Sequence, residues 1–307
     1  MASTEEENII QITEFILFGF GDLHGLQFLL FGVFLVIYVV TPMSNIVILT
    51  VVSADHSLHT PMYFFLGHFS FLEIGYTTTI EPMMLRTFVS AHVPISFPGC
   101  ACQFYCSASL VATECFFLAV MSYDRYIAIC NPLHYSSIMD YWGCLQLAGA
   151  SWVAGFLAPI LLLVLIFRLT FCADNKIDHF FCDLKPIMKL ACTDTQVAEM
   201  TSFICTSSFA LGPFLRTLAS YIISTILRIL STAGKQRAFS TCSSHLTVVS
   251  LYYGMLGIVY GFPSGPQHED LLKSLSLLYT VLTPFLNPIT YTLRNKDVKV
   301  ALRKLVQ

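Results

Sequence analysis

Two long segments without a charged side chain constrain this chain more than any other feature. Gly25–Ala54 and Tyr141–Phe167 contain no Asp, Glu, Lys, Arg or His. A membrane-spanning helix needs about 20 mainly apolar residues, and each segment exceeds that length. Only 11% of the chain is charged and 55% is hydrophobic, whereas soluble domains carry about 25% charged residues. The composition therefore predicts a membrane protein.

Five further apolar segments have the length of a membrane span. They carry few charged side chains, and none shows the alternating pattern of a transmembrane β-strand. The five segments are Thr60–Met84, Phe97–Cys130, Glu199–Leu227, Ala238–Pro266 and Ser274–Leu293. We therefore predict an all-α membrane protein in which residues 25–293 form a seven-transmembrane helix bundle.

The distribution of charge predicts how this bundle lies in the membrane. Residues 1–24 contain four glutamates and no Lys or Arg, whereas residues 294–307 contain five cations. Cytoplasmic segments are enriched in Lys and Arg. We therefore expect residues 1–24 to form an extracellular tail and residues 294–307 to form a cytoplasmic amphipathic helix and tail. No short cleavable signal peptide is predicted, because the first apolar segment is long enough to span the membrane.

The sequence gives no indication of an enzyme or of a nucleic-acid-binding protein. It contains no G-x-S-x-G, H-E-x-x-H, P-loop or Cys-x-x-Cys motif. The net charge is −3, and no basic run precedes the last dozen residues. We expect membrane lipid, and not nucleic acid, to surround or contact this chain.

Six residues of the third predicted span, three of them polar or charged, lie on one face of the helix. They recur at intervals of three or four residues, the spacing of a single helical stripe: Ser107, Val111, Glu114, Leu118, Met121 and Arg125. Glu114 and Arg125 are separated by about 16 Å along the helix, so Asp124 is the nearest partner for Arg125. This pair can hold a helix end in one state and release it in another, or Arg125 can simply extend toward lipid headgroups.

Two acids lie near the middle of predicted spans, where ionisable groups are costly and face the bundle interior. For Glu73 and Glu114, two interpretations stay open. They form a shared cation site, or they are protonated and donate hydrogen bonds between helices. A transporter or channel that uses Glu73, Glu114 and Arg216 is an alternative from another functional class.

Five motifs in a fixed order resemble the olfactory receptors, a family of rhodopsin-like G-protein-coupled receptors. They are Leu58–Leu66 (LHTPMYFFL), Met121–Tyr135 (MSYDRYIAICNPLHY), Ser220–Tyr221, Lys235–Leu246 (KQRAFSTCSSHL) and Pro284–Tyr291 (PFLNPITY). The resemblance extends from Thr13 to about Lys304. Within the family, the sequence looks like the tetrapod-type class, class II. It implies a multi-pass plasma-membrane receptor that binds odorants and activates a stimulatory G protein, which raises cyclic AMP.

The resemblance also implies roles for individual residues. Arg125 would be a switch that Asp124 holds at rest, and disulfides would join Cys100 to Cys182 and Cys172 to Cys192. The other residues of the switch would be Tyr126, Tyr221, His245 and Tyr291. No cofactor is expected, except that Glu73, Glu114 and Asn287 occupy places where related receptors hold a sodium ion. The sequence departs from the family pattern in having no N-x-S/T site and in having Glu73 where an Asp is usual.

By the same resemblance, the ligand pocket lies between the outer halves of the third, fifth, sixth and seventh spans. Its lining would be mostly apolar with a few hydroxyl groups, which suits a small, volatile, weakly polar molecule. The predicted contacts are Phe104, Ser107, Ala108, Val111, Ala112, Cys205, Thr206, Phe209, Tyr253, Leu256, Gly257, Tyr260 and Thr280.

Overall fold

The computed structural model is largely helical. It describes residues 13–21, 25–90, 92–171, 175–222, 250, 252–259, 269–294 and 296–306. The bundle consists of α1 (Gln27–Ala54), α2 (Pro61–Val89), α3 (Phe97–Cys130), the pair α5 (Tyr141–Leu157) and α6 (Ile160–Phe167), α8 (Gln196–Ile222), α9 (252–259), and the pair α10 (Glu269–Leu277) and α11 (Thr283–Arg294). Short helices α4 (Pro132–Ile138) and α7 (Leu184–Met188) lie in connections, and α12 (Lys296–Val306) follows the last span.

The outer faces of the helices are apolar. On α1, the Phe28 side chain is 70% exposed, and on α5 that of Val153 is 61% exposed. Three of the described helical segments are both long and apolar enough to cross a membrane: Gln27–Ala54, Phe97–Cys130 and Tyr141–Phe167. Contiguous exposed apolar surface of this kind fits contact with lipid. The predicted all-α seven-helix membrane fold is confirmed.

Two prolines interrupt the regular helical hydrogen bonding of spans. Pro159 has no N–H to donate, and the fourth span divides there into α5 and α6. In the seventh span, the turns before Pro284 form a π-helix, Leu278–Leu282, which joins α10 to α11. A wider turn accommodates the carbonyl that proline leaves without a donor.

A small sheet, which the sequence did not predict, lies at the end of the bundle that the charge distribution predicts to be extracellular. This end is called the outer end below, and the opposite end is called the inner end. Strand β1 (Glu14–Leu17) pairs antiparallel with β2 (Val93–Ser96) and parallel with β3 (Lys176–Ile177). Leu17 and Ile177 are completely buried in a second apolar core beneath this sheet. The sheet therefore joins the N-terminal segment to two outer loops.

A disulfide and an amide hold the long outer loop against α3. Cys100 of α3 is bonded to Cys182, with their Cα atoms 5.4 Å apart. Gln103, one turn along α3, accepts the Cys182 N–H at 3.0 Å and donates to the Thr79 carbonyl of α2 at 3.1 Å. Cys192 is also disulfide-bonded, while its predicted partner, Cys172, lies outside the described residues.

Helix α12 packs against the inner ends of α1 and α2. Its Val298 and Ala301 side chains are buried with Ile48 and other residues of these helices. Its Lys304 ammonium lies 3.2 Å from the Asp55 carboxylate. Hydrogen bonds from Ser57, assisted by Lys304, lower the pKa of Asp55 to about 2. The amphipathic helix that the sequence places after the last span is therefore present.

A candidate ligand cavity and cytoplasmic switch

A cavity of about 100 Å³ lies in the outer half of the bundle. An apolar cavity of roughly 150 Å³ holds benzene, so without movement of its walls this smaller cavity fits a somewhat smaller organic molecule. Helices α2, α3, α6, α8 and α9, the turn between α5 and α6, the π-helix and the long outer loop contribute to its wall. The described lining residues are Tyr76, Phe104, Ser107, Ala108, Val111, Ala112, Cys115, Ala158, Pro159, Leu162, Phe181, Asp183, Leu184, Ser202, Cys205, Thr206, Leu256 and Tyr279.

The structure brings many of the predicted contacts together in this cavity. The predicted contacts on α3 recur at helical spacing, and α8 contributes two more, Cys205 and Thr206, to the same cavity. The predicted residues found in the lining are Phe104, Ser107, Ala108, Val111, Ala112, Cys205, Thr206 and Leu256. The inward stripe on α3 therefore has the orientation that its spacing predicts.

Three predicted contacts lie outside the described lining. The Tyr253 hydroxyl donates to the Cys115 carbonyl at 2.9 Å, so this side chain joins α9 to α3. The buried Thr280 hydroxyl donates to the Ser276 carbonyl at 2.7 Å, within its own helical turn. Gly257 has no side chain with which to line the cavity, and its neighbour Leu256 forms part of the wall instead. Tyr260 and the side chain of Phe209 lie outside the described part of the chain.

Six of the ten described lining residues that sequence reasoning missed come from a helix break and a folded-over loop. The other four lie on α2, α3, α8 and the π-helix: Tyr76, Cys115, Ser202 and Tyr279. The interruption at Pro159 places Ala158, Pro159 and Leu162 in the wall. The disulfide at Cys182 draws Phe181 and Asp183 over the cavity from the other side. The proline and the cysteine were visible in the sequence, but neither reveals which neighbouring side chains will face inward.

Polar groups around the cavity are partly engaged within their own elements. The Ser107 hydroxyl donates to the Phe104 carbonyl at 3.0 Å. Asp183 is buried, and its Oδ1 accepts the Leu184 N–H at 2.8 Å at the start of α7. The wall is otherwise mostly apolar, so the cavity favours a ligand that forms few hydrogen bonds.

Three buried polar side chains lie in the interior of the bundle. Glu73 of α2, Glu114 of α3 and Asn287 of α11 are each at most 1% exposed. The Asn287 amide donates to Glu73 Oε1. Glu73 Oε2, Glu114 Oε1 and Asn287 Oδ1 have no hydrogen-bond partner among the described residues. Unpaired oxygens of this kind suit a hard cation, although the described residues contain no group of three or more His, Cys, Asp or Glu that could hold a metal ion.

The inner end of α3 carries the predicted charged pair. The Arg125 guanidinium lies 3.6 Å from the Asp124 carboxylate, and the two side chains are 23% and 1% exposed. Tyr135 of α4, which the sequence analysis did not single out, donates its hydroxyl to Asp124 Oδ1 at 2.8 Å. Burial and this hydrogen bond raise the pKa of the Tyr135 hydroxyl. The carboxylate thus has a second partner outside α3.

The other predicted switch residues are described only in part. Tyr126 is half-buried and packs against the main core. Tyr221 lies on α8 and Tyr291 on α11, but their side chains are outside the described part of the structure. His245 falls outside the described residues altogether, and so does the side chain of Arg216.

Together these features define a multi-pass seven-helix membrane protein with a ligand-sized cavity near one end and a charged pair at the other. The olfactory receptor family model matches residues 34–307. Human olfactory receptor 10A4 is 49% identical over 303 residues, which cover 98% of this chain and 96% of the relative. Human olfactory receptor 11L1 is 47% identical over 99% of this chain and 95% of the relative. Human olfactory receptor 10A7 is 48% identical over 98% of this chain and 96% of the relative. The chain belongs to the olfactory receptor family and is not an enzyme.

Proposed function

We propose that this protein binds small, volatile, weakly polar odorants in the cavity and activates a stimulatory G protein, which raises cyclic AMP. The observation that carries this proposal is that one helix, α3, forms a wall of the cavity and also carries the Asp124–Arg125 pair. Ser107 and Arg125 are about 27 Å apart along the helix. A movement of α3 that a ligand causes at the cavity can therefore reach the charged pair at the other end of the helix.

The proposed mechanism is a shift between two states of the bundle. The odorant binds the active arrangement more tightly and so increases its population. In that arrangement Arg125 leaves Asp124, and the G protein docks at the inner ends of the helices. This requires the N-terminus to be extracellular and α12 to be cytoplasmic, in the plasma membrane, as the charge distribution indicates.

Filling the cavity tests the ligand-binding half of this proposal. Cells that express the receptor with an olfactory-type G protein are screened with a panel of volatile compounds, and cyclic AMP is measured. For an active compound, Ala112→Leu narrows the cavity and is expected to raise the half-maximal concentration at least about tenfold. The matched control is Ala150→Leu, which adds the same atoms to an exposed face of α5 and should leave the response unchanged. Equal effects of the two substitutions would contradict binding in this cavity.

Removing the switch arginine tests the signalling half. Arg125→Ala is expected to abolish odorant-evoked cyclic AMP while surface staining stays at the wild-type level. Arg86→Ala, at the exposed outer end of α2, is the control and should preserve the response. Undiminished signalling by Arg125→Ala would refute the proposed role.

We also propose that Glu73, Glu114 and Asn287 hold a sodium ion. The support is the set of buried carboxyl and amide oxygens without described partners, which a sodium ion would coordinate, its charge matching that of one ionised carboxylate. Thermal unfolding of the purified receptor is measured in sodium chloride and in N-methylglucamine chloride at equal ionic strength. Sodium is expected to raise the melting temperature, and Glu114→Gln to abolish that rise, whereas exposed Glu14→Gln should retain it. A rise that Glu114→Gln leaves intact would rule out this site.

A transporter or channel that uses the same buried acids gives a different result. Such a protein would produce ion flux in proteoliposomes without odorant or G protein. The proposal predicts no flux above that of empty liposomes.

A further inference from the structure

The ligand cavity is not closed equally on all sides. Twelve of its eighteen described lining residues are buried, including all those from the outer loop with α7, from α2, from α9 and from the π-helix. The other six are partly exposed and come from α3, the fourth span and α8. These six residues, called the crevice below, are Ala108, Val111, Ala158, Leu162, Cys205 and Thr206. Since lining the cavity leaves twelve residues buried, the exposure of the crevice arises from an opening at this side.

The crevice adjoins apolar surface that fits contact with lipid. In the fourth span, Leu157 and Leu161 are more than half exposed, and each lies next to a crevice residue in the sequence. In α8, Ile204 is also more than half exposed and lies next to Cys205. On both helices the surface that faces outward thus continues into the wall of the cavity.

The crevice lies at the depth of the lipid tails. Leu162 and Ala158 are about 9 Å and about 15 Å along the span from Arg168, which follows its last outer turn. The hydrocarbon core of a bilayer is about 30 Å thick. The crevice therefore opens toward the predicted outer leaflet and not toward the water above it.

The break at Pro159 gives a physical reason for the opening. Before the break, α5 packs along α3, whereas beyond it α6 also contacts α7 and α8. A proline leaves one helical carbonyl without its donor and allows the helix axis to change direction. The fourth span therefore diverges from α3 at the level of the crevice, and space remains between α3, α6 and α8.

The side of the cavity that faces the outer water is covered. Phe181, Asp183 and Leu184 lie over it and are at most 5% exposed. The Cys100–Cys182 disulfide ties this cover to α3. A ligand that entered from water would have to displace a disulfide-anchored loop, whereas a ligand that entered through the crevice would displace only lipid.

The crevice suits uncharged molecules. Four of its six side chains are apolar, and the other two carry the thiol of Cys205 and the hydroxyl of Thr206. Bringing a charged group to this depth of the membrane is costly, and the crevice residues offer no opposite charge. A neutral, volatile molecule dissolves in the lipid tails without this cost.

We propose that ligands reach the cavity sideways, from the outer leaflet through the crevice, and that they are neutral molecules that dissolve in the membrane. This inference rests on the proposed ligand-binding role of the cavity. It makes the crevice a determinant of ligand specificity, because permanently charged molecules do not pass it.

The test follows the route of a reagent into the cavity, in the full-length receptor in lipid nanodiscs without odorant or G protein. Ser107→Cys places a thiol on a buried part of the wall. N-phenylmaleimide, which is neutral and lipid-soluble, is compared with a methanethiosulfonate that carries a trimethylammonium group and stays in water. Labelling of residue 107 is followed by peptide mass spectrometry. If Ser107→Cys does not fold, the native free thiol of Cys115 in the same lining serves as the reporter.

We expect the neutral reagent to label residue 107 in the folded receptor, and the charged reagent to label it only after unfolding. Such labelling would support the route even if the cyclic AMP assay contradicted the proposed function. Labelling of the folded receptor by the charged reagent at the rate of the neutral one, or no labelling by the neutral reagent, would overturn the proposal.

Two matched variants distinguish the two routes. Leu162→Ala widens the crevice and is expected to speed labelling by the neutral reagent at least about fivefold, a lowering of the barrier by about 1 kcal/mol. Leu184→Ala removes the same atoms from the outer cover of the cavity and should leave the rate unchanged. If Leu184→Ala does not fold, Leu184→Val takes its place. Equal rates in the Leu162 and Leu184 variants, or faster labelling in the Leu184 variant alone, would contradict entry through the crevice.

Discussion

The two ends of the bundle are held together by different kinds of interaction. At the outer end, a disulfide, a three-stranded sheet and the bridging amide of Gln103 fix the loop to α2 and α3. Among the described residues of the inner end, Asp124 is held by the Tyr135 hydroxyl and by Arg125 at 3.6 Å. The disulfide-bonded end is suited to preserving the shape of a cavity, whereas polar contacts of about 1 kcal/mol each can be exchanged in the proposed switch.

The largest expected effect comes from opening the outer end. Cys100→Ser removes the Cys100–Cys182 bond, and loss of a native disulfide typically costs about 2–5 kcal/mol. We expect the protein to be retained in the secretory pathway, as measured by surface staining. The matched control is Cys102→Ser, two residues along α3, where the cysteine is free and exposed. Normal surface staining of the Cys100 variant would show that the outer end does not depend on this bond.

A somewhat smaller effect is expected at Gly155, where α3 and α5 approach each other closely. A Cβ atom on Gly155 would lie 2.8 Å from the Thr113 Cα atom, so Gly155→Ala forces the helices apart. Overpacking of this kind typically costs about 1–3 kcal/mol, and the melting temperature should fall.

Gly149→Ala on the same helix is the control for this prediction. A Cβ atom at Gly149 would meet no atom within 4 Å, and alanine favours a helix over glycine. This variant should be as stable as the wild type or more stable. Equal melting temperatures for the two variants would contradict the close approach.

At the inner end, the effect of a single hydroxyl should be modest. Tyr135→Phe removes the hydrogen bond to Asp124, worth about 1 kcal/mol, which is roughly a fivefold change in an equilibrium. Odorant-independent cyclic AMP should rise by up to that factor at equal surface level. Tyr141→Phe, at the exposed start of α5, should leave it unchanged. If Tyr135→Phe also leaves odorant-independent cyclic AMP unchanged, Tyr135 does not restrain the switch.

The smallest expected effect concerns the pH dependence of stability that arises from His179 in the outer loop. The pKa of His179 falls from 6.5 to about 3 on folding because the ring is buried. Between these two pKa values, the unfolded chain therefore binds a proton that the folded protein does not bind. Stability is complete above pH 6.5 and declines as the pH falls toward 3, by roughly 0.7 kcal/mol between pH 7 and pH 6. His179→Gln should reduce this decline in thermal unfolding, whereas exposed His134→Gln should reproduce the wild-type curve.

The helices were predictable because spans must be apolar over a fixed length, and that signal is local. The outer sheet was not, because its strands are two to four residues long and come from residues 14–17, 93–96 and 176–177. Pairing between such distant segments leaves no periodic pattern in the sequence.

The candidate sites divide in the same way. The cavity face of α3 followed from helical spacing, and the position of Asp124 beside Arg125 followed from adjacency. The wall formed by Ala158 and Leu162 depends on how the helix breaks at Pro159. The Tyr135 hydrogen bond depends on how α4 folds back against α3. Both are tertiary features that a pattern of residue types does not specify.

The most direct test of the switch is a structure of the receptor bound to an odorant and a G protein. The predicted result is that the Arg125 guanidinium has separated from Asp124 and contacts the G protein, while the Cys100–Cys182 end of α3 is unchanged. An Arg125 side chain that remains on Asp124, or that extends among lipid headgroups without touching the G protein, would contradict the account.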